Sequence, residues 1–88
     1  MKKVYVINCL TKEKKGNYTF NSIYGVCFNK LENANDMLEK FYKKRLKLEK
    51  EFDTIVNTKK GIQCRIIETN NRIFEYTIEG TVIVDDEE

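Results

Sequence analysis

Histidine, proline and tryptophan are absent from these 88 residues, and alanine occurs once. Without histidine the chain lacks the commonest general base near neutral pH and the commonest zinc ligand. The three cysteines are an odd number, so they make no closed disulfide framework. Their separations, 18 and 37 positions, leave no C-x-x-C pair. A metal site would need all three to converge by folding alone; the plainer reading is small core residues in strands. No G-x-x-x-x-G-K-[ST], G-x-G-x-x-G or G-x-S-x-G occurs, which removes the common phosphate-binding, dinucleotide-binding and nucleophile-elbow chemistries. No run approaches the roughly 18 apolar residues of a membrane span, and MKKVYVINCL lacks a signal-peptide core. The expectation is a cytoplasmic protein with no metal, no cofactor and no membrane partner. Asn17-Tyr18-Thr19 matches a glycosylation sequon, which is chance in a chain without an export signal.

Hydrophobic residues make up 41% of the chain and charged residues 34%, an ordinary balance for one globular domain spanning 1–88. The longest coherent stretch is Asn29 to about Val56. Leu31, Ala34, Leu38, Phe41, Arg45, Leu48, Phe52 and Ile55 alternate steps of three and four, which puts them on one stripe of a helix. Met37, Tyr42 and Leu46 flank the stripe. Asn29 followed by Glu32 fits a capping box. At 1.5 Å per residue such a helix is roughly 38 Å long, against a radius of gyration of about 12 Å for a compact domain of this size. Its ends are therefore expected to overhang the sheet it covers.

Around that helix, Lys3 to Cys9 reads as a first strand and Thr11 to Asn17 as a polar loop turning at Gly16. Tyr18 to Phe28 reads as a second strand, bent at Gly25. Asn57 to Gly61 reads as a turn, Ile62 to Glu68 as a third strand, and Asn70-Asn71 as a tight hairpin. Arg72 to Ile78 is a fourth strand with Phe74, Tyr76 and Ile78 on one face. Gly80 suggests a bulge, after which Thr81 to Val84 continues or folds back. The acidic end, 85–88, should fray. The order β-β-α-β-β predicts an α+β fold: an antiparallel sheet with one long helix packed across one face.

Two surfaces are candidates for function. Lys40, Lys43, Lys44, Lys47 and Lys50 crowd the helix and would suit an acidic protein, nucleic acid or an anionic surface. The competing reading is a solvated face interleaved with Glu39, Glu49 and Glu51, favoured by a net charge of only +2. Phe41, Arg45, Leu48, Phe52 and Ile55 continue the apolar stripe past what a small sheet covers. They predict a homodimer through the second half of the helix, with Arg45 pairing a carboxylate such as Glu49 of the other subunit. Most of the five tyrosines and five phenylalanines should be core. Tyr18 and Phe20, beside the polar loop, are less obviously buried and would anchor a protein partner if exposed. Glu75 and Glu79 share a strand face with Thr77, which reads as solvated rather than as an acid pair.

Gly25-Val26-Cys27-Phe28-Asn29-Lys30-Leu31-Glu32-Asn33-Ala34, following the Val4-Tyr5-Val6-Ile7 strand, resembles small phage and bacterial proteins of unknown function. These carry a strand ending Gly-Val-Phe/Tyr, then Ser-x-x-Glu-x-Ala opening a helix. Asn29 stands where the serine cap usually is, and Glu32 and Ala34 match. The resemblance covers about a third of the chain and supports the strand-to-helix joint alone. Abundant Lys, Asn and Ile follow AT-rich coding, as in low-GC bacteria and their phages. Small size, missing catalytic residues and segregated charge also match the profile of anti-defence proteins such as anti-CRISPR inhibitors. The expectation is a non-enzymatic interaction protein that binds and inhibits a host protein. The alternative is an oligomeric module holding nucleic acid or a phosphate-bearing ligand on the basic helix.

Overall fold

A computed structural model describes residues 2–16, 18–52 and 55–83. The chain forms β1 (Lys2–Glu13), β2 (Tyr18–Ile23), α1 (Leu31–Glu51), β3 (Asn57–Lys60), β4 (Cys64–Glu68) and β5 (Arg72–Ile83). The strands make one antiparallel sheet in the order β2-β1-β5-β4-β3. The helix lies over β1, β5 and β4 and does not reach β2. This is the expected α+β class.

The centre of the sheet is one long ribbon. β1 pairs with β5 without a break from Lys2↔Ile83 to Glu13↔Arg72. Twelve residues at about 3.4 Å each make strands of roughly 40 Å, which stretches the molecule to 55 × 27 × 19 Å. Its radius of gyration is 15.0 Å, well beyond that of a compact domain of this length. Gly80 makes no bulge. It sits in register opposite Tyr5, where a Cβ would come within 3.0 Å of the Lys3 stem. That stem carries its ammonium over the Tyr5 ring, 5.5 Å from the centroid. The small residue makes room for a neighbour and lets the strand run on. Val84 and the acidic end lie outside the described residues.

Besides β1 running on to Glu13 through part of the expected Thr11–Asn17 loop, and β4 starting at Cys64 rather than Ile62, three boundaries differ in ways that shape the fold. Asn57–Lys60, expected as a turn, is an edge strand paired with β4, so the order is β-β-α-β-β-β. Its four side chains are all exposed, and pairing through backbone groups alone leaves no apolar alternation to read. β2 stops at Ile23 rather than Phe28. The chain then leaves the sheet and returns at Phe28, which exchanges two 2.8 Å backbone hydrogen bonds with Tyr5. The third difference is the cap. Lys30, at φ −119° and ψ 134°, is the N-cap of α1, and no side chain caps it. Asn29 and Glu32 therefore do not form the expected box, because the Phe28 bridge sets where the chain turns and delays the first helical residue to Leu31. At the other end Phe52 closes the helix, its amide directed at the Glu49 and Lys50 carbonyls. The expected helix to about Val56 is therefore too long: Ile55 and Val56 lie beyond α1, and residues 53 and 54 lie outside the described set.

Burial along the helix follows Ala34, Leu38 and Tyr42, an i, i+4 line, with Arg45, Leu46 and Glu49 half-buried beyond it. Tyr42, expected as a flank, is thus central. Ala34 and Leu38 pack with Ile7 and Ile78; Tyr42 packs with Ile67 and Phe74. Tyr76 touches both groups. Phe41 meets Tyr24 edge-on at 4.9 Å and lies 6.2 Å from Tyr76, so these aromatics fasten the Tyr24–Phe28 segment to the helix.

Candidate protein-binding surfaces

At one side of the lysine-rich face, three cations gather on a single carboxylate. Glu39 accepts a 3.0 Å hydrogen bond from Arg65 Nε and pairs with Lys60 at 3.6 Å and Lys43 at 3.8 Å. Arg65 is held in place by its own bonds to the Gly61 and Cys64 carbonyls, each 2.8 Å. The Arg65 hydrogen bond, aided by the charges of Lys60 and Lys43, keeps the Glu39 carboxyl below its ordinary value. This cluster ties edge strand β3 and strand β4 to the helix. Lys60 also lies 5.0 Å over the Tyr42 ring.

Lys40, Lys43, Lys44, Lys47 and Lys50 are all exposed. Lys43 is the only one of them in an ion pair among the described residues. Lys43, Lys47 and Lys50 line an open groove of about 400 Å³ with Glu51 and with Leu46 as its apolar floor. Spacings of four and three put these lysines on one side of the helix, which is why the sequence pattern alone located them.

The residues expected to self-associate divide into two groups. Phe41, Arg45 and Leu48 come together with Tyr76 around a small recess. Phe41 is held by Tyr24 and Tyr76. Arg45 stacks 4.4 Å over Phe74 and pairs with Glu49 of its own helix at 3.6 Å. Burial pushes the nearby Tyr76 hydroxyl up, against the opposing influence of Arg45. Phe52 and Ile55 stand apart in solvent, each 76% exposed.

A third surface is the outer strand β2. All six of its residues are exposed and none is charged. Tyr18 and Phe20 are each 65% exposed and stack on one another at 6.1 Å; Ile23 is 62% exposed. The position of Tyr18 and Phe20 beside a polar loop was the sequence signal. Ile23 gave none, because its β-branched neighbourhood reads equally well as core.

The thiols are free and dispersed. Cys9 on β1 and Cys64 on β4 are half-buried, and burial raises both above the ordinary thiol value. Cys27, expected in a strand core, is exposed in the loop after β2 because that strand ends early. Among the described residues, no three Cys, Asp or Glu side chains gather at metal-binding distance, and no helix is long and apolar enough to cross a membrane. Comparison with protein-family models, curated proteins and solved structures finds no match.

Proposed function

We propose that the protein is a small non-enzymatic interaction protein of a phage or mobile element, which binds a host protein in the cytoplasm and inhibits it. It would act as anti-defence proteins such as anti-CRISPR inhibitors do, by covering a surface its target needs. The observation that carries this reading is the exposed row Lys40, Lys43, Lys44, Lys47 and Lys50 on a helix anchored to the sheet, with Leu46 flooring the groove beside it. A fixed array of ammonium groups steers an acidic partner and sets its register, and the apolar floor adds desolvated contact.

An acidic protein face suits this surface better than a phosphate backbone. The net charge is only +2, and Glu39, Glu49 and Glu51 interrupt the lysines, whereas nucleic-acid binders of this size carry a far larger positive excess. The test is affinity capture from a phage-susceptible host lysate, using the wild type beside a Lys43→Glu/Lys47→Glu/Lys50→Glu variant. The captured protein is then titrated at two salt concentrations. The expected result is one acidic host protein, inhibited on binding, with affinity falling on the order of tenfold or more in the variant and at higher salt. Equal capture by both forms, or tight binding of DNA or RNA at physiological salt, would overturn the reading.

A further inference from the structure

We infer that two copies of this chain associate through β2, each pairing its strand antiparallel with the other across a twofold axis normal to the sheet. Two five-stranded sheets would then become one continuous sheet. The inference is independent of the lysine-rich face, which lies on the helix beside the opposite sheet edge.

The backbone of β2 is ready for a partner. Its only neighbour among the described residues is β1. The Tyr24 amide donates to the Ile7 carbonyl at 2.9 Å, which sets the alternation along the pair: Tyr18, Phe20 and Ser22 turn their amides and carbonyls toward β1. Thr19, Asn21 and Ile23 turn theirs outward. Folded proteins usually protect such an edge with charge, proline, a bulge or covering structure. β3, the other edge, is four residues long, carries Lys59 and Lys60, and is tied to the helix through Glu39. Among the described residues β2 has none of these protections, and α1 does not extend over it.

The side chains favour a second copy as the occupant. A twofold axis between antiparallel neighbours keeps each face of the sheet on its own side, so it can place Phe20 directly opposite Phe20 of the second copy. Thr19 then meets Asn21 of that copy through the outward backbone groups. Phe20 falls at the non-hydrogen-bonded position, where opposed side chains come closest. Tyr18 lies diagonally beside that phenylalanine, on the face that β2 shares with the helix but the helix leaves bare. No like charges are paired across the seam, because β2 is uncharged. An interface made of the same patch twice also closes at two subunits. A strand of six residues is a small contact, below the roughly 1,200 Å² typical of stable complexes. The dimer is therefore reversible and concentration-dependent.

Sedimentation equilibrium from about 1 µM to about 500 µM, where weak complexes of small area dissociate, tests the inference. The mass should rise from 10.5 kDa toward twice that value. Asn21→Pro removes only an outward amide, and Phe20→Lys places charge on the axis. Both should remain monomeric across the range with an unchanged circular dichroism spectrum. In a Cys27→Ser background, Phe20→Cys should oxidise to a covalent dimer, while Ile23→Cys should not. A wild type that stays at 10.5 kDa throughout overturns the inference. So does a dimer that persists in Phe20→Lys, dissociates in Leu48→Glu, or forms without a Phe20→Cys cross-link. The cross-link decides the matter if Asn21→Pro does not fold.

Discussion

Replacing Glu39 with glutamine removes one charge and leaves three cations without their shared partner. The magnitude follows from how wet each contact is. Lys43 is 3.8 Å away with its side chain 72% exposed, and Lys60 is 3.6 Å away and 55% exposed; such pairs contribute a few tenths of a kcal/mol each. Arg65 is different: its side chain is 15% exposed and its Nε hydrogen bond is 3.0 Å. A hydrogen bond to a charged group contributes ~1.5–3 kcal/mol, but the glutamine amide oxygen still accepts, so about 1 kcal/mol of it is lost. The total is about 1.5 kcal/mol, or roughly 6–12 °C in melting temperature for a domain of this length. Because folding holds the Glu39 carboxyl below its ordinary value, its contribution is complete above the unfolded-state pKa and fades as pH falls through the folded-state value. Glutamine does not titrate, so the gap between wild type and Glu39→Gln should close on acidification. Urea unfolding of both proteins at neutral pH and at about pH 2 measures this. An equal difference at the two pH values, or none at neutral pH, would refute the cluster's role. The same substitution removes a negative charge beside Lys43 and Lys60, so it should tighten binding of an acidic partner.

Leu38→Ala should cost about 3 kcal/mol in urea unfolding, since Leu38 is fully buried against Ile7, Ala34 and Ile78; a cost under 1 kcal/mol would contradict that packing. Lys30→Asp should stabilise the protein by about 1 kcal/mol, because Lys30 has the extended backbone of an N-cap and no capping side chain. Asn29→Ala, by the same geometry, should leave the melting temperature unchanged. Cys27 is exposed and should alkylate well before Cys9 and Cys64, which are half-buried and whose thiols burial raises above the ordinary value; equal rates by mass spectrometry would contradict the loop placement.

The helix was legible because its signal is local. Apolar residues at steps of three and four from Leu31 to Leu48, with no glycine among them, specify an amphipathic helix whatever it packs on. The runs Val4–Ile7, Arg65–Ile67 and Ile73–Ile78 were legible for the same reason, and with them the α+β class. The lysine row on α1 needed only helical spacing. Other features depended on pairing between distant parts of the chain. Which side of α1 is buried turned on a shift of one position, from Phe41 to Tyr42. Both residues are aromatic, so only docking against Ile67 and Phe74 could choose between them. β3 joined the sheet through its backbone, which side-chain alternation does not record. Glu39 became a hub because β3 and β4 carry Lys60 and Arg65 across to the helix. The exposure of Tyr18 and Phe20 likewise depended on strand order. β1 took β5, more than 60 residues away at Val6↔Glu79, as its second neighbour, and that left β2 at the edge of the sheet. Periodicity reports on neighbours within a turn or two, whereas strand order and face coverage arise from contacts between residues far apart in the chain.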